Sequence, residues 1–216
     1  MTHPVRTRPR TLVVLGGLAP LLALASLATI ASGLGIEEQR AKRAGQEVAV
    51  RARARQLLKA GNFRESLEIS RRLALQRTTS PTAAGEDLKR AILCLGRLGR
   101  TREVDALRDK SVEVHRGNWR LLLSAATSLA DGTHSGRVVA GEYQRGSSRG
   151  RGSYVSSFSR DRSKALGWLE QARPLVVAES AQRKDQGQTE RGRFYIELAR
   201  ILLQGRDVGG SWRLAI

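Results

Sequence analysis

Residues Gly146-Ser147-Ser148-Arg149-Gly150 spell GxSxG, the pattern in which a serine on a tight strand-to-helix turn is presented as a nucleophile. That chemistry needs a histidine base, which in the usual chain order follows the serine. The three histidines, His3, His115 and His134, all precede Ser148, and its neighbours are Arg, Gly and Ser, a loop composition. His115 and His134 also lack the nearby Cys, His or acid spacing of a metal site. No HExxH, GxxxxGK[ST] or dinucleotide-binding spelling occurs. Cys94 lies in the apolar run Ala91-Ile92-Leu93-Cys94-Leu95 and reads as a small buried hydrophobe; as the single cysteine it allows no intrachain disulfide. The acidic residues are sparse and mostly flanked by Arg, which suggests solvated salt-bridge faces and marks no carboxylate pair for acid–base work. The expectation is a non-enzymatic protein with no metal and no cofactor.

The chemistry that remains is charge. The chain carries a formal +18 at neutral pH, most of it from arginines scattered through every segment. Such an excess can mark nucleic-acid or anionic-lipid binding, and it can equally be a genome-wide compositional bias. The densest candidate is the Arg/Gly/Ser loop at 144–160, in which Arg145, Arg149, Arg151 and Tyr154 form a possible basic contact set. Arg-Gly runs interleaved with aromatics bind single strands by charge and stacking. The run is short and carries one aromatic, so nucleic acid is the weaker partner; anionic lipid, a protein partner or a plain connector are the other readings.

What positions this loop begins at the N-terminus. Residues 1–10 are basic through Arg6, Arg8 and Arg10, and Thr11–Gly35 carries no charge. At about 1.5 Å per residue, some 25 residues exceed the roughly 30 Å hydrocarbon core. The segment reads as a single-pass transmembrane helix or signal anchor, with a cleaved signal peptide as the competitor, since small-residue pairs such as Ser26/Ala28 and Ala31/Gly33 offer cleavage sites. The basic start places residues 1–10 in the cytoplasm and the rest outside it, although Arg40, Lys42 and Arg43 on the far side weaken that asymmetry.

Residues 36–216 read as helices. A long helix over Glu37–Ala60 is broken by Gly61; a second spans Arg64–Leu75; Thr78–Pro81 is a loop. A third helix puts Leu88, Ala91, Ile92, Leu95 and Leu98 on one face and ends at Gly99. Thr101 can cap a fourth, through Val104 and Leu107, and Asn118 a fifth, with Trp119, Leu122, Leu123, Ala126 and Leu129 facing inward until Asp131-Gly132. Val138–Tyr143 is a short apolar piece, helix or strand. Asp161 can cap a helix carrying Ala165, Leu166, Trp168 and Leu169, with Pro174 kinking it or lying near its end. Ser180–Gly192 is a polar connector, and a last helix places Phe194, Leu198, Ile201 and Leu202 together before Gly205.

Leu58-Lys59-Ala60-Gly61-Asn62-Phe63 resembles the turn of a tetratricopeptide repeat, and Leu98-Gly99-Arg100-Thr101 repeats that turn 38 residues later, against a usual period of about 34. An ordinary helical bundle with similar turns is the alternative. The strings RGNW (Arg116–Trp119), VVAGEYQRG (Val138–Gly146), RGSYVSSFSRDRSKAL (Arg151–Leu166), FYIELARILL (Phe194–Leu203) and SWRL (Ser211–Leu214) resemble the N-terminal helical region of large bacterial proteins of the alpha-2-macroglobulin family. The resemblance covers roughly residues 110–216, with the membrane segment and the repeat in matching order. It implies that the chain is the front module of such a protein, at the bacterial cytoplasmic membrane. The family's thioester does not carry over, because Cys94 is followed by Leu95-Gly96-Arg97. The expected fold is all-α, a transmembrane helix followed by a tetratricopeptide-like array. The expected function is a membrane-anchored scaffold for an unidentified protein partner; a membrane-tethered nucleic-acid or anionic-lipid binder using the Arg-Gly loop is the alternative.

Overall fold

The computed structural model describes residues 39, 42–77, 80–146, 152–182 and 188–205. The chain divides into two compact units, 1–45 and 46–216, and the architecture below is that of the second. The apolar segment 11–35 and the basic residues 1–10 lie outside the described residues. Among the described residues, no helix is long and apolar enough to cross a membrane.

The second unit is predominantly helical. Helix α1 (residues 42–59) enters it at residue 46 and is followed by α2 (Phe63–Leu75), α3 (Pro81–Arg97), a 3-10 turn (Thr101–Glu103), α4 (Val104–Val114) and α5 (Trp119–Ala130). After three short strands come α6 (Phe158–Gln182) and α7 (Gln188–Leu203). The two glycine turns that stand out in the sequence have one geometry. At Gly61, with φ +80°, the Asn62 amide returns to the Leu57 carbonyl at 2.9 Å. At Gly99, with φ +70°, the Arg100 amide returns to the Leu95 carbonyl at 2.9 Å. Both are Schellman closures, in which a left-handed residue free of a Cβ clash satisfies the last carbonyls of a helix.

The core follows the apolar stripes. Leu88, Ala91, Cys94 and Leu95 of α3 are fully buried, with Ile92 and Leu98 packed at the margin. Helix α5 is buried around most of its circumference: Leu121 and Ala125 are inside along with Trp119, Leu122, Ala126 and Leu129, because α3, α6 and α7 all pack on it. Its N-terminus is capped as its sequence predicts, the Asn118 side-chain oxygen accepting from the amides of Arg120 at 3.1 Å and Leu121 at 3.4 Å. Asn118→Ala is expected to cost about 1 kcal/mol, the usual loss for a removed cap, read as a shift of the urea midpoint at constant slope.

Several expectations are corrected. Pro81 opens α3 instead of closing the loop before it, since the first helical position needs no amide donor and favours the fixed φ of proline. Thr101 does not cap; its hydroxyl donates to the Arg145 carbonyl at 3.3 Å. Asp161 lies inside the first turn of α6, whose start follows Ser157. Pro174 lies well inside α6, where its ring leaves the Glu170 carbonyl without the usual donor. The connector after α6 is shorter than its polar composition suggests, since α6 reaches Gln182 and α7 begins at Gln188. Leu202 points outward and is 42% exposed.

The main departure from an all-α fold is a three-stranded antiparallel sheet, ordered β2-β1-β3, from β1 (Ser135–Val139), β2 (Glu142–Arg145) and β3 (Ser153–Ser156). Its first hairpin covers Val138–Tyr143, and it takes in Gln144, Arg145 and Ser153–Ser156 of the expected loop at 144–160. Val139 pairs with Glu142 across a two-residue turn, Ala140-Gly141, in which both residues have positive φ (50° and 83°). That is the twist-matched hairpin turn. Gly136 is required for close approach: a Cβ there would sit 2.4 Å from the Gln144 carbonyl oxygen and 2.5 Å from the Tyr143 ring.

Candidate functional site

Of the expected contact set, the described residues place Arg145 and Tyr154. Arg145 is only 7% exposed and faces inward from the end of β2; Arg149 and Arg151 lie outside the described residues; Tyr154, on β3, is 70% exposed. Arg145 turns in because two carboxylates wait for it. Its Nη1 donates to Asp161 Oδ2 at 2.7 Å and its Nε to Asp105 at 3.0 Å, and a further Nη1 bond reaches the Thr133 carbonyl. One side chain thus ties β2 to α4 and α6. Asp161 departs from the expectation of solvated salt-bridge faces, because it is 1% exposed.

Asp161 is the centre of the cluster. Ser157 Oγ donates to its Oδ2 at 2.7 Å, His134 Nδ1 lies 3.1 Å from the same oxygen, and Arg160 Nη2 donates to its Oδ1 at 3.0 Å. Burial works to raise the Asp161 carboxyl, but the hydrogen bonds from Arg145, Ser157, His134 and Arg160 outweigh it and hold the carboxyl below the usual carboxylate range. The same balance raises the Arg145 guanidinium: burial opposes its charge, and Asp161 and Asp105 more than compensate. Serine, histidine and aspartate meet here in the wrong order for acyl transfer. The aspartate bonds both other groups, and His134 Nε2 faces the Ala130 carbonyl at 3.0 Å in place of the serine hydroxyl. Tyr143 donates to Ser157 Oγ at 2.9 Å, and Ser157 is 4% exposed. The cluster is a polar joint between sheet and helices.

His115 is likewise buried: at the C-terminal end of α4, its Nε2 lies 3.1 Å from the Ala74 carbonyl, and burial lowers its pKa. Among the described residues, no three His, Cys, Asp or Glu side chains gather as a metal set.

Open surface with binding geometry lies on another face. A groove of about 390 Å³ runs over the half-buried face of α5, with α3 on one side and α7 on the other. Its floor is Leu123, Ser124 and Thr127, and its walls carry Glu86 and Lys89 from α3 and Glu190, Arg193 and Glu197 from α7. Gly85 lies at the close approach of α3 to α5: a Cβ there would lie 2.3 Å from Ser124 Oγ and 3.1 Å from the Arg120 carbonyl oxygen. At one end Arg120 binds Glu179 at 2.8 Å and Glu190, and stacks 4.3 Å from the Trp119 ring centroid. Burial opposes the Arg120 charge, and its two carboxylate partners raise the pKa nonetheless. At the other end Arg200 bridges to Asp131 at 2.7 Å. A second cleft, of about 360 Å³, lies between α1 and α3 and shares Glu86 and Lys89 with the first. The two clefts therefore adjoin at α3, the first against α5 and α7 and the second against α1.

The stripe pattern in the sequence marks the buried faces of α3 and α5 but is silent on the trough, whose residues are polar and unremarkable until three helices converge. No family model matches the chain, and no curated protein or solved structure was found to be similar to it.

Proposed function

We propose that this chain is a non-enzymatic, membrane-held helical interaction module that takes a segment of a protein partner in the trough of its odd helices. The observation that carries the reading is this trough: two clefts, of about 390 and 360 Å³, that adjoin at Glu86 and Lys89 and are lined by α1, α3, α5 and α7. The Schellman turns at Gly61 and Gly99 each lead out of an odd helix, which suits a repeat of helix pairs related to tetratricopeptide arrays. In such arrays one helix of each pair lines a concave binding face. The apolar segment Thr11–Gly35 supplies the membrane attachment, with the helical unit outside the cytoplasm. The resemblance of residues 110–216 to the front region of bacterial alpha-2-macroglobulin-family proteins is consistent with a docking module of such a protein.

The test is a panning of random twelve-residue peptides, displayed on phage, against the full chain in detergent. Enriched peptides are expected to bind the wild type and to lose at least tenfold in affinity for Thr127→Trp, which fills the trough floor, while the helical circular dichroism stays unchanged. Peptides that bind both proteins equally, or a panning that enriches nothing, overturn the reading.

A further inference from the structure

The cleft between α1 and α3 has its own chemistry. On α1, Arg55 and Lys59 stand one helical turn apart with Leu58 between them; on α3, Glu86, Lys89, Arg90 and Leu93 follow at i, i+3, i+4 and i+7. Leu58 and Leu93 make an apolar strip, and Leu93, which lies off the buried stripe of α3, is 46% exposed. Around that strip the charges are mostly positive, and they differ in how far they are committed. Arg90 is held by the fully buried Asp87 at 2.9 Å, and Asp87 also binds Arg51 at 2.8 Å. Lys89 pairs with Glu86 at 3.0 Å across an exposed rim. Arg55 and Lys59 are exposed and make no ion pair or hydrogen bond among the described residues. The cleft thus presents an apolar strip flanked by two unpaired cations and a third whose partner is exposed.

We infer that this cleft takes an acidic protein segment carrying one large apolar side chain, the side chain seated on Leu58 and Leu93 and the flanking carboxylates on Arg55 and Lys59. Charge complementarity selects the acidic character. The cleft, about 360 Å³ between two helices, has the volume of a side chain with a short stretch of backbone, which selects a peptide over a membrane. This inference rests on the trough being a partner-binding face, and it names the chemistry of one end of it.

The test uses the full chain in detergent and a labelled seven-residue probe with four glutamates about a central phenylalanine. Two controls replace the phenylalanine by serine or the glutamates by lysines. The parent probe is expected to bind at least tenfold more tightly than either control, with an affinity that falls as salt rises. The double variant Arg55→Glu/Lys59→Glu, two exposed positions whose change leaves the fold intact by circular dichroism, is expected to lose at least tenfold. Leu93→Ser is expected to abolish the preference for phenylalanine over serine. Equal binding of the acidic and basic probes, or full retention by the double variant, overturns the inference. If the acidic probe fails while peptides from random panning still bind and are lost in Thr127→Trp, the acidic assignment falls and the trough reading stands; if neither binds, both fall. Vesicles containing phosphatidylglycerol serve as the last arm. Charge-dependent vesicle binding without probe binding overturns the peptide assignment in favour of a lipid surface.

Discussion

Arg145→Ala is expected to lower the unfolding free energy by about 3–5 kcal/mol, the usual cost of removing one partner of a buried pair. The loss comes less from a missing attraction than from what stays behind: Asp161, 1% exposed, keeps its charge but loses the buried guanidinium 2.7 Å away, and retains only the half-exposed Arg160 at 3.0 Å as a cationic neighbour apart from His134. Asp105 is less affected because Arg108 still reaches it at 2.7 Å. Removing both members, as in Arg145→Met/Asp161→Leu, should cost less than the sum of the two single changes, since no charge is then left buried. Urea midpoints at constant slope measure all three proteins. A loss under about 1 kcal/mol for Arg145→Ala, the range of exposed pairs, would show that the joint is open to water. The pH dependence follows from the same contacts. The folded-state pKa of Asp161 is depressed, so the unfolded chain takes up its proton first as pH falls. The contribution of this group is complete above the ordinary aspartate value of about 4 and is lost as pH drops from there toward the folded-state value. Asp161→Asn should flatten that part of the stability profile, measured between neutral pH and about pH 3.

Phe194→Ala is expected to release α7. Phe194 is fully buried and meets the Trp119 ring edge-on at 6.1 Å between centroids. Ile201 is also fully buried on α7, and the remaining ties include the pairs Arg120–Glu190 and Arg200–Asp131. Truncating a buried phenylalanine costs about 3–5 kcal/mol in a core that cannot relax. Here the terminal helix has a cheaper response, which is to detach by itself. Amide hydrogen exchange should therefore show α7 losing most of its protection while α3 and α5 keep theirs, with a fall in the global midpoint smaller than the full cavity cost. The loss of α7 removes the trough wall that carries Glu190, Arg193 and Glu197, so peptides selected on the wild type should weaken together with that protection. Unchanged exchange in α7 would mean that Phe194 is not what holds it.

The helices were legible wherever a stripe and a stop signal coincided. Leu88, Ala91 and Leu95 recur at helical spacing and end at Gly99, and Asn118 caps α5, because helix periodicity and helix ends are local properties of the chain. The sheet was not legible, because its strands carry Arg, Gly, Ser and Gln with little alternation, and their cohesion comes from pairing partners up to 21 residues apart, as in Ser135 with Ser156. Arg145 shows the same limit most sharply. Among glycines, serines and arginines its surroundings in sequence describe an exposed loop, yet Asp105 and Asp161, 40 residues before it and 16 after, draw it inside. Local sequence governs where a helix starts, which face is apolar and where a glycine must reverse the chain. Burial of a charge depends on whether distant residues arrive to compensate its lost hydration, and the shape of a trough depends on how closely whole helices approach, as Gly85 allows against Ser124. Those are properties of the assembled fold.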